Sequence, residues 1–206
     1  MLQARVFNIS PPYLHHVLFL LYCSTPRYFL HDIINVSDPQ DAVAFLSAVG
    51  FASGACTAYP VGWLSDKLGN GRKPYVYVSC AVLALGSLGM LQCTTFQQTV
   101  LLSFLVGGAN GAYLTMDTSL AVDTLPHKED AAKFLGIWGV AGFCGSALGP
   151  MAAGPLLYFI GTVGMLPPES EGEQVYSIAG YAVIYSLSAL YFGCSAVSLR
   201  WVDNSY

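Results

Sequence analysis

The chain has 206 residues, 54% of them hydrophobic and only 10% charged, with a formal net charge of -4 at pH 7. A soluble domain carries roughly 25% charged residues, so this composition is too poor in polar side chains to clothe a globule and points to lipid. Eight Lys and Arg side chains are too few and too scattered to neutralise a phosphate backbone, which excludes nucleic acid as a partner.

A spanning helix needs about 20 predominantly apolar residues, and this ruler divides the chain into a short amino-terminal segment, residues 1–12, and a transmembrane helical bundle over residues 13–202. The first span, 13–34, reads "YLHHVLFLLYCSTPRYFLHDII" and carries Pro26, Arg27 and Asp32. These predict a helix that is kinked, shortened or partly outside the membrane. The next five, 42–64, 74–93, 100–125, 134–161 and 177–199, are uninterrupted apolar stretches. Turns fall at "NVSDPQD", "DKLGNGRK", "TTFQQ", "PHKEDAA" and "PPESEGEQ". The expected fold class is therefore all-α integral membrane, a six-helix transmembrane bundle.

Six cysteines, Cys23, Cys56, Cys80, Cys93, Cys144 and Cys194, show no metal-ligand or CxxC spacing and read as small apolar packing residues. The four histidines do not converge on a catalytic or metal set, so no enzyme activity, cofactor or metal is expected. No small-residue cleavage site follows the first apolar run, so no signal peptide is expected.

With six spans, Arg5, Lys67, Arg72, Lys73, Lys128, Lys133 and Arg200 fall on one side, while the opposite loops hold Asp38, Asp41, Glu169, Glu171 and Glu173 and no Lys or Arg. The positive-inside rule then predicts that both termini are cytoplasmic. Two sequons, at Asn8 and Asn35, match the glycosylation pattern, and only Asn35 falls on the predicted outer side.

Between the second and third spans, Gly62, Leu64, Asp66, Lys67 and Gly69, followed by Arg72 and Lys73, resemble the G-x-L-x-D-[RK]-x-G-[RK]-[RK] loop of the major facilitator superfamily of transporters. Asn70 and Gly71 are inserted before the basic pair. In the fifth span "GVAGFCGSALGPMAAG" sets Gly139, Gly142, Gly145, Gly149, Pro150 and Gly154 along one helix, similar to a Gly-Pro-containing helix of some antiporters in that superfamily. The residues 28–50 and 116–138 are similar to the carboxy-terminal half of such a transporter. The resemblance implies one half of a major-facilitator-type fold, with Asp66 and the basic residues as a conformational latch at the cytoplasmic helix ends. Gly145, Gly149, Pro150 and Gly154 read first as helix-packing positions, because small residues at this spacing let helices approach closely.

Chemistry is most legible in the fourth span. Asp117 lies about eight residues from the helix end, roughly 12 Å deep at 1.5 Å per residue, where a charge needs water or a partner. Ser103, Asn110 and Asp117 recur every seven residues, with Tyr113 one turn before Asp117, and together predict one polar stripe lining a cavity. The alternative is a carboxylate held by a neighbouring helix. Arg27 is the other candidate pathway residue. Arg27 and Asp32 either pair near the cavity or mark where the first span ends.

The expected function is secondary active transport of a small solute by alternating access, with a proton as candidate coupling ion and Asp117 as the group that takes it or a cationic substrate. Expected partners are the lipid bilayer, a small-molecule substrate, and a missing amino-terminal half or a second copy. The competing expectation is a non-transporting membrane subunit that binds or regulates another membrane protein. The substrate is not legible, since one Asp with a few hydroxyls and amides suits sugars, organic cations, amino acids or drugs.

Overall fold

A computed structural model describes residues 26–68, 72–123, 131–165 and 174–198. Among the described residues, six helices follow one another: α1 (Pro26–Asp32), α2 (Pro39–Leu68), α3 (Lys73–Met90), α4 (Phe96–Asp123), α5 (Ala131–Gly161) and α6 (Ile178–Ser198). A short antiparallel ribbon, β1 (Thr162–Met165) with β2 (Gln174–Tyr176), joins α5 to α6. The fold is an all-helical membrane bundle, and the ribbon is an addition that the acidic turn "PPESEGEQ" had hidden.

The helix ends explain where observed and expected boundaries differ. Helix α2 begins at Pro39, ahead of Ala42, because a proline fits the first helical position and Asp41 meets the positive end of the helix dipole. It runs on to Leu68, with Lys67 in its last turn stacked 4.6 Å over the Trp63 ring. Helix α4 begins at Phe96 because "TTFQQ" forms a capping box. The Gln98 Oε1 accepts the Thr94 N–H at 2.9 Å and the Thr95 N–H at 3.3 Å, while the Thr95 hydroxyl accepts the Gln98 N–H at 3.4 Å. Helix α1 ends through Asn35, whose φ of 57° supplies the left-handed turn; the Val36 N–H then returns to the Leu30 carbonyl at 3.1 Å. Of the expected first span, residues 13–25 lie outside the described residues.

Three helices among the described residues are long and apolar enough to cross a bilayer: α2, residues Phe96–Leu120 of α4, and Ile178–Val197 of α6. Helix α3 has 18 residues and begins on Lys73 and Pro74, so its apolar stretch falls short of the length of a span, and the expected third span 74–93 is shortened at its end. Large apolar side chains point away from the protein, with Phe159 82% and Phe51 79% exposed. Water would penalise that surface and hydrocarbon does not.

Contacts order the bundle as α2 against α4, α4 against α3, α3 against α6 and α6 against α5, with α1 lying on α2 and touching β2. The main core lies where α3, α4 and α6 meet, around Leu83, Met116, Tyr181, Tyr185 and Phe192, with Phe29 of α1 inserted into it. A second, smaller cluster joins Leu30 of α1 to Ala42 and Leu46 of α2. The end of α5 meets the start of α6 through Gly161 and Gly180, where the Ser177 N–H donates to the Gly161 carbonyl at 2.7 Å. A Cβ on Gly180 would sit 2.6 Å from the Gly161 Cα, so only glycine permits this approach.

The cysteines divide by position. Cys80 and Cys93 are buried, Cys56 and Cys194 are exposed, Cys23 lies outside the described residues, and Cys144 lies in α5 with side-chain surroundings that are not described. Cys93, in the turn after α3, points to the Gly89 carbonyl at 3.5 Å, and burial pushes its thiol above the ordinary range. Since the thiolate is the reactive form, a raised pKa leaves less of it near neutrality. Alkylation of Cys93 followed by mass spectrometry is expected to be several-fold slower than that of a free thiol at pH 7.5 and to accelerate as pH rises past 9. Rapid labelling at pH 7.5 would contradict this placement.

Candidate functional site

Helix α4 carries the expected polar residues and faces different neighbours along its length. Ser103 and Asn110 line a groove of about 130 Å³ whose other walls include Pro26 of α1, Leu46 and Gly50 of α2, and Val106 of α4. That volume is below the roughly 300 Å³ of a typical small-molecule pocket, as one wall of a shared site would be. No charged residue lines it among the described residues. The Asn110 Oδ1 is buried with no hydrogen-bond partner among the described residues, an arrangement that costs free energy unless something completes it.

Two turns further on, the surroundings change. Asp117 lies within electrostatic reach of Tyr113 on its own helix, Cys80 on α3 and Tyr191 on α6. The Ser195 side chain lies within hydrogen-bonding distance of both Cys80 and Tyr113, and Tyr113 is 3% exposed. The expected single stripe is therefore divided between two environments. Ser103 and Asn110 belong to the groove; Tyr113 and Asp117 belong to a polar cluster inside the α3–α4–α6 core. A seven-residue repeat keeps side chains on nearly one bearing, but it does not fix which helix stands opposite at each level.

The loop residues lie at the end of α2 and the start of α3. The Arg72 guanidinium lies 3.6 Å from the Asp66 carboxylate, whose side chain is 73% exposed. So exposed an ion pair contributes about 0–1 kcal/mol and is readily broken and remade. The inserted residues Asn70 and Gly71, with Gly69, lie outside the described residues, yet Arg72 still reaches back to Asp66. Lys67 turns to Trp63, and Lys73 opens α3. A Cβ on Gly62 would meet the Thr115 methyl group at 3.7 Å, an ordinary contact between α2 and α4.

Arg27 is exposed at the start of α1 and is not among the described partners of Asp32. The Asp32 carboxylate instead accepts the Tyr181 hydroxyl at 2.6 Å, the Tyr176 N–H at 3.0 Å and the His31 Nδ1–H at 2.9 Å. In α5, helical throughout, the surroundings of Gly145, Gly149 and Pro150 lie outside the described residues. A Cβ on Gly154 would meet nothing within 4 Å, so Gly154 packs against no described helix of this chain.

The close helix approach that the structure shows is elsewhere, between α2 and α4. A Cβ on Gly107 would lie 2.5 Å from the Gly50 Cα, and one on Gly111 would lie 2.5 Å from the Gly54 Cα. Backbones this near let side chains bond across the interface. The Ser53 hydroxyl donates to the Phe104 carbonyl and the Thr57 hydroxyl to the Gly108 carbonyl, both at 2.7 Å. Sequence reasoning missed this pairing, although glycines four apart in both helices carry its signal. It also missed Cys80, Tyr191 and Ser195, which no spacing rule links to Asp117.

The described residues thus form an apolar helical bundle with a groove on its fourth helix and an exposed acidic-basic ion pair at one end. The family model of the Major Facilitator Superfamily matches residues 18–205, nearly the whole chain, and the protein belongs to that superfamily. No curated protein matches the chain.

Proposed function

We propose that this chain carries out secondary active transport of a small solute by alternating access, as one six-helix half of a transporter. The other half is an amino-terminal half or a second copy. The groove on α4 carries this reading: a site of about 130 Å³ lined by Ser103 and Asn110, with no charged residue among its described walls, suits one side of a solute path between two helical halves. Ser103 and Asn110 contribute hydrogen bonds to the solute. Asp117 serves as the coupling group from the core side of the same helix, with a proton as its ion. The Asp66–Arg72 pair breaks and re-forms at the helix ends as the halves rock. Both termini face the cytoplasm, as the distribution of Lys and Arg favours.

The test begins with the native protein in its membrane, detected by an antibody against the tail "RWVDNSY". A band near twice 22.0 kDa identifies a longer transporter to be used in uptake. A panel of labelled sugars, amino acids, organic cations and drugs is then offered to cells expressing it. One class is expected to accumulate, and Asn110→Leu is expected to lower that uptake about tenfold with membrane abundance unchanged, as for a buried hydrogen bond lost to the solute. A 22.0 kDa protein that accumulates none of these would favour a non-transporting membrane subunit.

A further inference from the structure

We propose that Asp32 and Tyr181 form a clamp that sets the position of α1 over the groove and so controls access to it. Helix α1 begins at Pro26, a wall of the groove, and ends at Asp32, six residues on and about 9 Å away along the axis. At that end the Asp32 side chain is 1% exposed and its two oxygens are fully engaged. Oδ2 takes the Tyr181 hydroxyl of α6 and the Tyr176 N–H of β2, and Oδ1 takes the neighbouring His31. The wall and the clamp are thus opposite ends of one short rigid rod.

The remaining contacts of α1 are aromatic and aliphatic, and include Tyr28 edge-on to Tyr176 of β2 at 5.8 Å. Phe29 packs edge-on against Tyr181 and Tyr185, with ring centroids 5.3 and 5.8 Å apart, and Leu30 packs against Ala42 and Leu46 of α2. Edge-on rings have a preferred geometry but a shallow one, whereas a charge-assisted hydrogen bond of 2.6 Å weakens steeply with distance and angle. The carboxylate therefore selects the position. Leaving it buried and unpaired is costly, so release favours a discrete second position over a gradual drift. Leu46 sits both under Leu30 and on the groove wall, so a shift of α1 is felt there at once.

The purpose of the clamp rests on the transport reading, but its existence is testable without uptake. A reporter thiol is placed by Val106→Cys, a groove position 4% exposed, in the native protein reconstituted in lipid nanodiscs. Alkylation by N-ethylmaleimide is followed site by site by mass spectrometry. Tyr181→Phe keeps the ring against Phe29 and removes only the hydroxyl; it is expected to raise the alkylation rate of the introduced thiol about tenfold while buried Cys80 stays as slow as before. Asp32→Asn, which leaves one acceptor oxygen, is expected to give a smaller rise. An unchanged rate at the introduced thiol in both variants overturns the clamp. So does a parallel rise at Cys80, which marks general loosening. If no solute is taken up by the parent, the transport reading fails while the alkylation result still decides the clamp.

Discussion

Replacing Gly111 with valine is expected to separate α2 from α4 and to lower the stability of the bundle more than any other single change considered. A Cβ at this position would lie 2.5 Å from the Gly54 Cα, and the obstructing atoms are backbone, which no rotamer change can move. Overpacking usually costs about 1–3 kcal/mol, and rigid backbone on both sides puts this site at the upper end. The cross-helix bonds of Ser53 and Thr57 lengthen with the same movement, since their acceptors are carbonyls of α4. Thermal unfolding in detergent is the measurement, with Gly154→Val as the comparison, because a Cβ there meets nothing within 4 Å. The expected pattern is a clear fall in Tm for Gly111→Val and little change for Gly154→Val in this chain alone. A Gly111→Val protein as stable as the parent would show that the two helices do not meet through their glycines. If Gly154→Val destabilises the protein only when a second half or copy is present, α5 packs against that partner.

This contrast also shows what the sequence can and cannot disclose. Helix existence was legible because lipid imposes a length and a composition on every span, and the boundaries moved where local chemistry sets a helix end: Pro39 and the Thr95–Gln98 box extend α2 and α4, whereas α3 stops at Met90, short of the expected residue 93. The small-residue rule was equally legible, but it was satisfied by several helices at once. Gly145, Gly149 and Gly154 drew attention, while the same spacing at Gly50 and Gly54, and at Gly107 and Gly111, marks the observed contact. Spacing gives a face, and only the fold says what stands opposite. For the same reason Asp117 and Asn110 shared one stripe in sequence and occupy two environments in the bundle. The Asp32–Tyr181 bond joins residues 149 apart, and no local pattern encodes it.

Asp117→Asn is expected to abolish concentrative uptake, by tenfold or more, with the protein still reaching the membrane at its normal level. Asparagine has nearly the same shape and size, so a purely structural side chain at this position would tolerate the change. What it removes is the charge and the capacity to take up a proton. No cation among the described residues pairs with Asp117, and the groups around it, Tyr113, Cys80 and Tyr191, offer at most neutral partners. A carboxylate so placed is costly in its charged form, so a change in its charge is expected to shift the packing of α4 against α3 and α6. Asn110 lies seven residues up the same helix, about 10 Å away at 1.5 Å per residue, and one rigid rod carries that shift to the groove. Exchange of labelled for unlabelled solute, which needs no ion gradient, is therefore expected to survive in Asp117→Asn while accumulation against a gradient is lost. Equal accumulation by variant and parent would remove Asp117 from the coupling role. Loss of both exchange and accumulation would place it in solute binding, beside Ser103 and Asn110.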